Sequence, residues 1–257
     1  LLTSRRGHRS TFPAPAIQGP STAHRPSADR RLLLMAGRPH SADLPDLPVR
    51  EALDALRLAL TEQRRAILVA PPGAGKTTVV PLALLDEPWL GDQTIIMLEP
   101  RRLATRAAAQ RMSVTTRTPI GQLVGYQTRD EREITATTRI EVVTEGVLTR
   151  RLQNNPELPG VGCVIFDEVH ERNLTTDVGL ALTLDVATEL RPELRIIAMS
   201  ATPDTDGLTK LLDAPVITSE GRTFPIDVQW LPRSAPSRGK RPQRPGQQRI
   251  EPDVVAA

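Results

Sequence analysis

The amino-acid sequence predicts an α/β domain in which helices cover both faces of a parallel sheet. Three observations carry that expectation. From residue 46 to residue 230, short apolar runs alternate with segments of helical spacing. The runs are apolar throughout and do not alternate with polar residues, as expected for strands buried on both faces. One of them, AILVA at 66–70, leads into a glycine-rich turn that opens a helix.

The elements follow in order. Asp46 and then Pro48 mark a helix start, and Leu53, Leu56 and Leu60 recur at helical spacing behind them. AILVA (66–70) reads as a buried strand, and a helix opens at Lys76 after the turn. TIIMLE (94–99) is the next strand, with a helix from Arg101 to Met112. RIEVVT (139–144) precedes a helix at 145–153, and GCVIFDE (162–168) precedes one at 174–190. RIIAMS (195–200) is followed by a helix at 204–212. PVITSE (215–220) and PIDVQW (225–230) read as late strands. Strands alternating with helices in this way build a layered α/β sheet.

The 257 residues carry 33 Lys+Arg against 30 Asp+Glu, a formal net charge of +3. Residues 1–40 are net +6 and 231–257 net +4, so 41–230 is net −7. The basic character belongs to the ends, and a bulk-charge argument for nucleic-acid binding fails for the middle. Only Lys76, Lys210 and Lys240 are lysines, and the aromatics are Phe12, Trp89, Tyr126, Phe166, Phe224 and Trp230. A base-stacking platform needs several aromatics on one face, and this chain can hardly supply one. The single cysteine, Cys163, excludes a disulfide framework and a cysteine-rich zinc site. No apolar run is long enough to span a bilayer as a helix, and the chain is expected to be cytoplasmic.

Residues 1–45 mix Arg, Ser, Pro and Ala without a period, and are expected to be a disordered or non-native extension. Met35 stands just before the patterned sequence, so 1–34 reads as upstream sequence. Residues 46–230 form the patterned domain. Residues 231–257, Pro-rich with a basic cluster from Arg238 to Arg244, read as a linker.

The loop APPGAGKTT (70–78) lies between a strand and a helix, the context a phosphate-binding loop needs. Gly73 and Gly75 let backbone N–H groups turn toward phosphate. The helix N-terminus adds its dipole. Pro72, Gly73, Ala74, Gly75, Lys76, Thr77 and Thr78 are therefore the expected nucleotide-binding residues. Lys76 is placed to reach the β- and γ-phosphates, and the Thr77 hydroxyl can ligate Mg²⁺. Ala70 stands where the general pattern has Gly. A purely structural turn would not need this lysine and threonine at a helix start.

FDEVHE (166–171) closes an apolar strand, and ligands of open parallel sheets gather at the carboxyl ends of strands. Asp167 is assigned to the metal and Glu168 to the attacking water, with Glu168 also within reach of the metal. His170 is placed to couple. SAT (200–202) closes another strand, putting the Ser200 and Thr202 hydroxyls near the carboxylates. A solvated acidic loop or a helix cap would explain either motif alone, but not both in this order behind the phosphate loop.

Together these residues resemble superfamily 2 helicases of the DEAH class, and within them the N-terminal part of the bacterial ATP-dependent RNA helicase family HrpB. LEPRRLA (98–104), VGYQTR (124–129), TRIEVVTEGVLTRRLQ (138–153), FDEVHER (166–172), MSATPD (199–204) and EGRTFPIDV (220–228) carry the resemblance. It runs from about Leu47 to Trp230. Val169 and Pro203 depart from the family's usual residues. The resemblance implies a RecA-like P-loop NTPase domain that uses ATP and Mg²⁺ and has single-stranded RNA as partner. It also implies that Arg101, Arg102, Thr144, Glu145 and Gly146 grip the nucleic-acid backbone. Such contacts need no base reading. The family's second RecA-like domain, with its arginine fingers, has no counterpart in this sequence. The chain alone is thus expected to bind ATP weakly, hydrolyse it poorly and not unwind RNA. Two rivals stand beside this reading. One is a catalytically silent module whose nucleotide state gates RNA or partner binding. The other is a P-loop kinase, against which the DEVH and SAT pair argues.

Overall fold

The structure, a computed structural model, describes residues 44–221, all within the first of two units into which the chain divides at Arg222 and Thr223. The strand expected at 225–230, the N-terminal extension to residue 43 and the linker at 231–257 lie outside the described residues.

A 3-10 turn at Pro48–Ala52 leads into α1 (Leu53–Glu62), as the Asp-Pro signal predicts. Then come β1 (Arg65–Val69), α2 (Lys76–Ala83), β2 (Thr94–Leu98) and α3 (Arg102–Thr116). β3 (Val124–Gln127), β4 (Arg132–Glu133), β5 (Ile140–Val143) and α4 (Glu145–Asn154) follow. β6 (Val161–Phe166), α5 (Leu174–Glu189), β7 (Arg195–Ser200), α6 (Asp206–Leu212) and β8 (Val216–Thr218) complete the described elements. The α3 helix runs four residues beyond the expected Met112 and stops at Arg117, in left-handed conformation.

The sheet order is β4-β3-β5-β2-β6-β7-β1-β8. Every neighbouring pair is parallel except β3 with β4. The expectation of a wholly parallel sheet is thus corrected at one edge. β4 is two exposed residues, Arg132 and Glu133, folded back against Gln127 and Tyr126. A strand so short and polar leaves no apolar run to read.

Alternation along each strand divides the core in two. Ala66 and Leu68 of β1, Ile95 and Met97 of β2, and Cys163 and Ile165 of β6 face α1, α2 and α3. Ile67 and Val69, Ile96 and Leu98, and Val164 and Phe166 face α4, α5 and α6. Both faces are covered, which is why the runs are apolar without a break. The registers Val69↔Ser200, Leu98↔Phe166 and Leu98↔Val143 bring the strand ends to one edge. Every expected catalytic motif begins on that edge.

Phe166, the largest fully buried side chain, packs in the second core one residue before Asp167. Gly179 on α5 lies against it, a Cβ there reaching 3.7 Å from the ring. Phe166→Ala is expected to cost about 3–5 kcal/mol of stability, the range for truncating a buried aromatic. Urea unfolding measures it, and a loss under about 1 kcal/mol would mean that the site relaxes around the gap.

Candidate functional site

The phosphate loop spans the end of β1 and the start of α2. Gly73 and Gly75 take φ of +77° and +96°, values that side-chain-bearing residues adopt only with strain. Gly75 also has no room for a side chain: a Cβ would lie 2.8 Å from Leu47 Cδ1. The Lys76 ammonium is buried against its own loop, donating to the carbonyls of Ala70 (2.5 Å) and Pro71 (3.3 Å). Ala70, where the general pattern has Gly, is fully buried and donates its N–H to the Ser200 carbonyl at 3.1 Å.

The turn before α1 braces this loop. Val49 N–H donates to the Ala74 carbonyl (3.0 Å), and Leu47 closes over Gly75. Ser219 after β8 donates its hydroxyl to the Pro48 carbonyl. The sequence offered no sign of this brace, because nothing in Leu47 or Ser219 marks a loop partner.

Asp167 is wholly buried at the end of β6. Its Oδ2 accepts from the Thr77 hydroxyl at 2.6 Å, and its Oδ1 accepts from the Glu168 N–H at 2.9 Å. Burial pushes its carboxyl up to about 6, against the Thr77 hydrogen bond, with the Glu168 charge adding to the rise. Glu168 sits at φ +54°, ψ +34°, a left-handed backbone costing a non-glycine residue about 1 kcal/mol. That backbone turns its carboxylate toward His170, whose Nε2 lies 3.3 Å from Oε2.

His170 ties two motifs together. Ala201 N–H donates to Nδ1 at 3.2 Å, so the neutral imidazole carries its proton on Nε2, facing Glu168. The Ser200 hydroxyl does not reach the carboxylates. It donates to the Thr202 carbonyl (2.9 Å) and accepts from the Thr202 N–H (3.1 Å), closing a tight turn. SAT therefore touches the acidic motif through the Ala201 backbone and the phosphate loop through the Ser200 carbonyl.

Thr77 and Asp167 also fit Mg²⁺. Among the described residues no group of three or more His, Cys, Asp and Glu forms a metal cage. Mg²⁺ uses one or two carboxylates and completes its shell with water and phosphate oxygens. A buried carboxylate next to a hydroxyl at a phosphate loop meets that need. Glu168 is turned to His170.

The residues expected to grip nucleic acid lie where strand ends meet helix starts. Arg101 and Arg102 open α3, and the anions beside them belong to the protein. Arg101 pairs with Glu171, and Arg102 with Asp130 at 2.6 Å, both on the surface. Thr144 precedes α4, and Gly146 has open space around it. The Glu145 carboxylate accepts from the Thr176 hydroxyl at 2.6 Å, anchoring α4 to α5.

Two pockets lie along this edge. One, of about 450 Å³, is lined by Thr77, Thr78, Glu99, Arg101, Arg111 and Glu168, among others. The second, of about 350 Å³, lies beside Thr144 and Gly146 and adds Gln127, Arg129 and Arg150. Glu99, Arg111, Arg129 and Arg150 are the residues that sequence reasoning missed here. Glu99 ends β2 and carried the available signal, a charged residue closing an apolar run. Its carboxyl is raised to about 8, first by burial and then by the Asp167 charge.

The phosphate loop on β1, the acidic pair on β6 and the SAT turn on the strand between them define a RecA-like P-loop nucleotide-binding domain. The chain belongs to the DEAD/DEAH box helicase family, whose model matches residues 50–211. It is 49% identical over 196 residues to the ATP-dependent RNA helicase HrpB of Escherichia coli, covering 76% of this chain and 24% of that protein. It is 34% identical over 190 residues to an ATP-dependent RNA helicase HrpA homolog of Haemophilus influenzae, covering 72% of this chain and 14% of that one. A crystal structure of the Escherichia coli DEAH/RHA helicase HrpB superposes with a TM-score of 0.68 at 50% identity, over 71% of this chain and 23% of that one. The chain thus spans about a quarter of the length of these HrpB relatives.

The raised carboxyls set a pH dependence. Asp167 and Glu99 rise from ordinary values of 3.8 and 4.5 to about 6 and about 8. Between those limits the folded chain holds protons that the unfolded chain has released, so its stability falls as pH rises. Without nucleotide or Mg²⁺, the urea unfolding free energy should decline from pH 4.5 to pH 8. Glu99→Gln should flatten the upper part of that decline; an unaltered slope would show that Glu99 titrates normally.

Proposed function

We propose that residues 46–230 form the ATP-binding motor domain of a cytoplasmic ATP-dependent RNA helicase. In this reading ATP-Mg²⁺ is hydrolysed at the β1–β6 edge, and single-stranded RNA is held by its backbone along the α3 and α4 starts. The observation that carries this reading is the 2.6 Å hydrogen bond from Thr77 to Asp167, which joins the phosphate loop to the acidic strand. RNA as the partner is supported by the names of the Escherichia coli and Haemophilus influenzae relatives.

Each side chain has a task in that reading. Lys76 exchanges the carbonyls of Ala70 and Pro71 for the β- and γ-phosphates. Thr77 and Asp167 hold Mg²⁺, which neutralises charge on the phosphates when bound. Glu168 orients the attacking water and accepts its proton, helped by the His170 Nε2–H that fixes its carboxylate. Thr78 and Arg111 flank the adjoining pocket and are placed to meet the rest of the nucleotide. Phosphates of the RNA displace Asp130 from Arg102 and settle against the Gly146 N–H and the Thr144 side chain at the α4 start, with Arg129 and Arg150 beside them. Exposed ion pairs are worth little, so the exchange is not costly. Hydrolysis coupled to translocation along the strand is the activity proposed for the whole protein.

Lys76→Ala should lower affinity for a fluorescent ATP analogue about a hundredfold, roughly 3 kcal/mol. Glu168→Gln should bind the analogue within about twofold of the parent, with turnover falling steeply. Retained affinity in the first variant would refute the phosphate-site assignment. For RNA, Arg102→Ala and Arg150→Ala should each weaken single strands regardless of sequence. Each should also reduce the slope of log affinity against log salt by about 0.7; titrations at several salt concentrations measure both.

A further inference from the structure

Glu99 is a side chain to which the catalytic scheme above gives no task. It closes β2, next in the sheet to β6, whose end carries Asp167 and Glu168. It is 96% buried, yet it lines the pocket shared by Thr77, Thr78 and Glu168. One carboxyl oxygen, Oε1, accepts a long hydrogen bond of 3.4 Å from the Arg101 N–H. The other has no hydrogen-bond partner among the described residues. Its backbone is fixed on both sides, with the N–H donating to the Val143 carbonyl (3.0 Å) and the carbonyl accepting from the Thr105 hydroxyl (3.3 Å). That oxygen is not sealed inside the protein but opens into the pocket, so its partner comes from there. In a polar pocket beside a hydrolytic carboxylate, the completing group is water.

We propose that Glu99 is a positioning residue of the hydrolytic centre, its unpartnered oxygen holding, together with Glu168, the water that attacks the γ-phosphorus. This rests on the reading of the site as an ATP hydrolase and adds to it a second, fixed hold on the nucleophile. Glu168 has a strained backbone and an imidazole partner, and by itself it fixes one direction of the water. A contact from β2, on the other side of β6 from the SAT strand, fixes a second. Glu99 takes no proton in the reaction. Water can donate to or accept from a side-chain oxygen or amide, so Gln in its place keeps the contact. Ala removes it.

The test uses the full chain and compares Mg²⁺·ADP with Mg²⁺·ADP·aluminium fluoride, which mimics the planar phosphoryl group with its in-line water. Glu99→Ala is expected to bind ADP within about twofold of the parent and to lose about tenfold in affinity for the fluoride complex. Glu99→Gln is expected to recover to within about threefold. ATP turnover should follow the fluoride complex, with kcat lowered and KM little altered. Thermal melts of both variants check that the fold is kept. Equal losses for the two ligands in Glu99→Ala would overturn the proposal, as would no loss for either, or a Gln variant as weak as the Ala variant. If the parent itself gains nothing from fluoride over ADP, this inference falls, while nucleotide binding at the phosphate loop is judged separately by the Lys76→Ala result. A defect pattern wrong only in the Glu99 variants removes the inference alone.

Discussion

The hydrogen bond from the Thr77 hydroxyl to Asp167 is the contact on which the site depends. It reaches from the first turn of α2 to the end of β6, two places across the sheet from β1. For the two groups to meet, β1, β7 and β6 must be in register, and the paired residues from Arg65↔Ile196 to Phe166↔Ala198 provide that. The sheet must also be rigid, which two separate apolar cores ensure by covering both faces. The buried carboxylate is the cost of this arrangement. Its pKa rises because burial disfavours its charge more than one hydroxyl and one N–H can offset. A cation beside that carboxylate would offset the burial penalty.

Around that contact the three motifs are joined through backbone groups more than through side chains. The Ser200 carbonyl receives Ala70, and Ala201 N–H sets the tautomer of His170. Glu168 is held in a left-handed conformation between Asp167 and the turn that follows. The SAT turn is therefore in direct hydrogen-bond contact with both the phosphate loop and the imidazole beside Glu168. The Ser200 hydroxyl, spent on closing its own turn, keeps that turn stiff. The hydrogen bonds of the Ser200 hydroxyl thus stay within the SAT turn.

Much of this was legible in the sequence, for a physical reason. In a sheet covered on both faces, each strand is a plain apolar run, so the polar residues closing CVIF and RIIAM, and the glycine-rich loop after AILVA, stand out and fall on one edge. Asp167 was found by that contrast, Lys76 and Thr77 by the loop. What stayed hidden lacks such contrast. β4 has two polar residues and no period. Leu47 presses on Gly75 from a segment that looks like ordinary helix entry. Glu99 did close an apolar run, but it reads as the start of a charged turn until its burial is known. The partners of Arg101 and Arg102, Glu171 and Asp130, are 70 and 28 residues away, and no local pattern pairs them.

Those pairings bear on how an acidic domain can hold a polyanion. Residues 41–230 are net −7, so the charge of that region does not favour nucleic acid, and attraction within it must come from a few cations within a Debye length of the phosphates. At the α3 start each of two arginines already has a carboxylate. RNA binding there is an exchange of one anion for another, and the net gain is the difference between phosphate and carboxylate contacts. Arg129 and Arg150 are exposed beside Thr144 without acidic partners among the described residues, so a phosphate there gains their charge without first breaking an ion pair. In the proposed function the α4 side of the edge would therefore supply the larger share of affinity. The α3 side, where Glu171 follows His170 directly, links the release of Arg101 to the segment that carries the hydrolytic carboxylate. In the proposed function, two neighbouring stretches of one sheet edge would thus divide the work, one anchoring the strand and the other lying against the acidic motif through the Arg101–Glu171 pair.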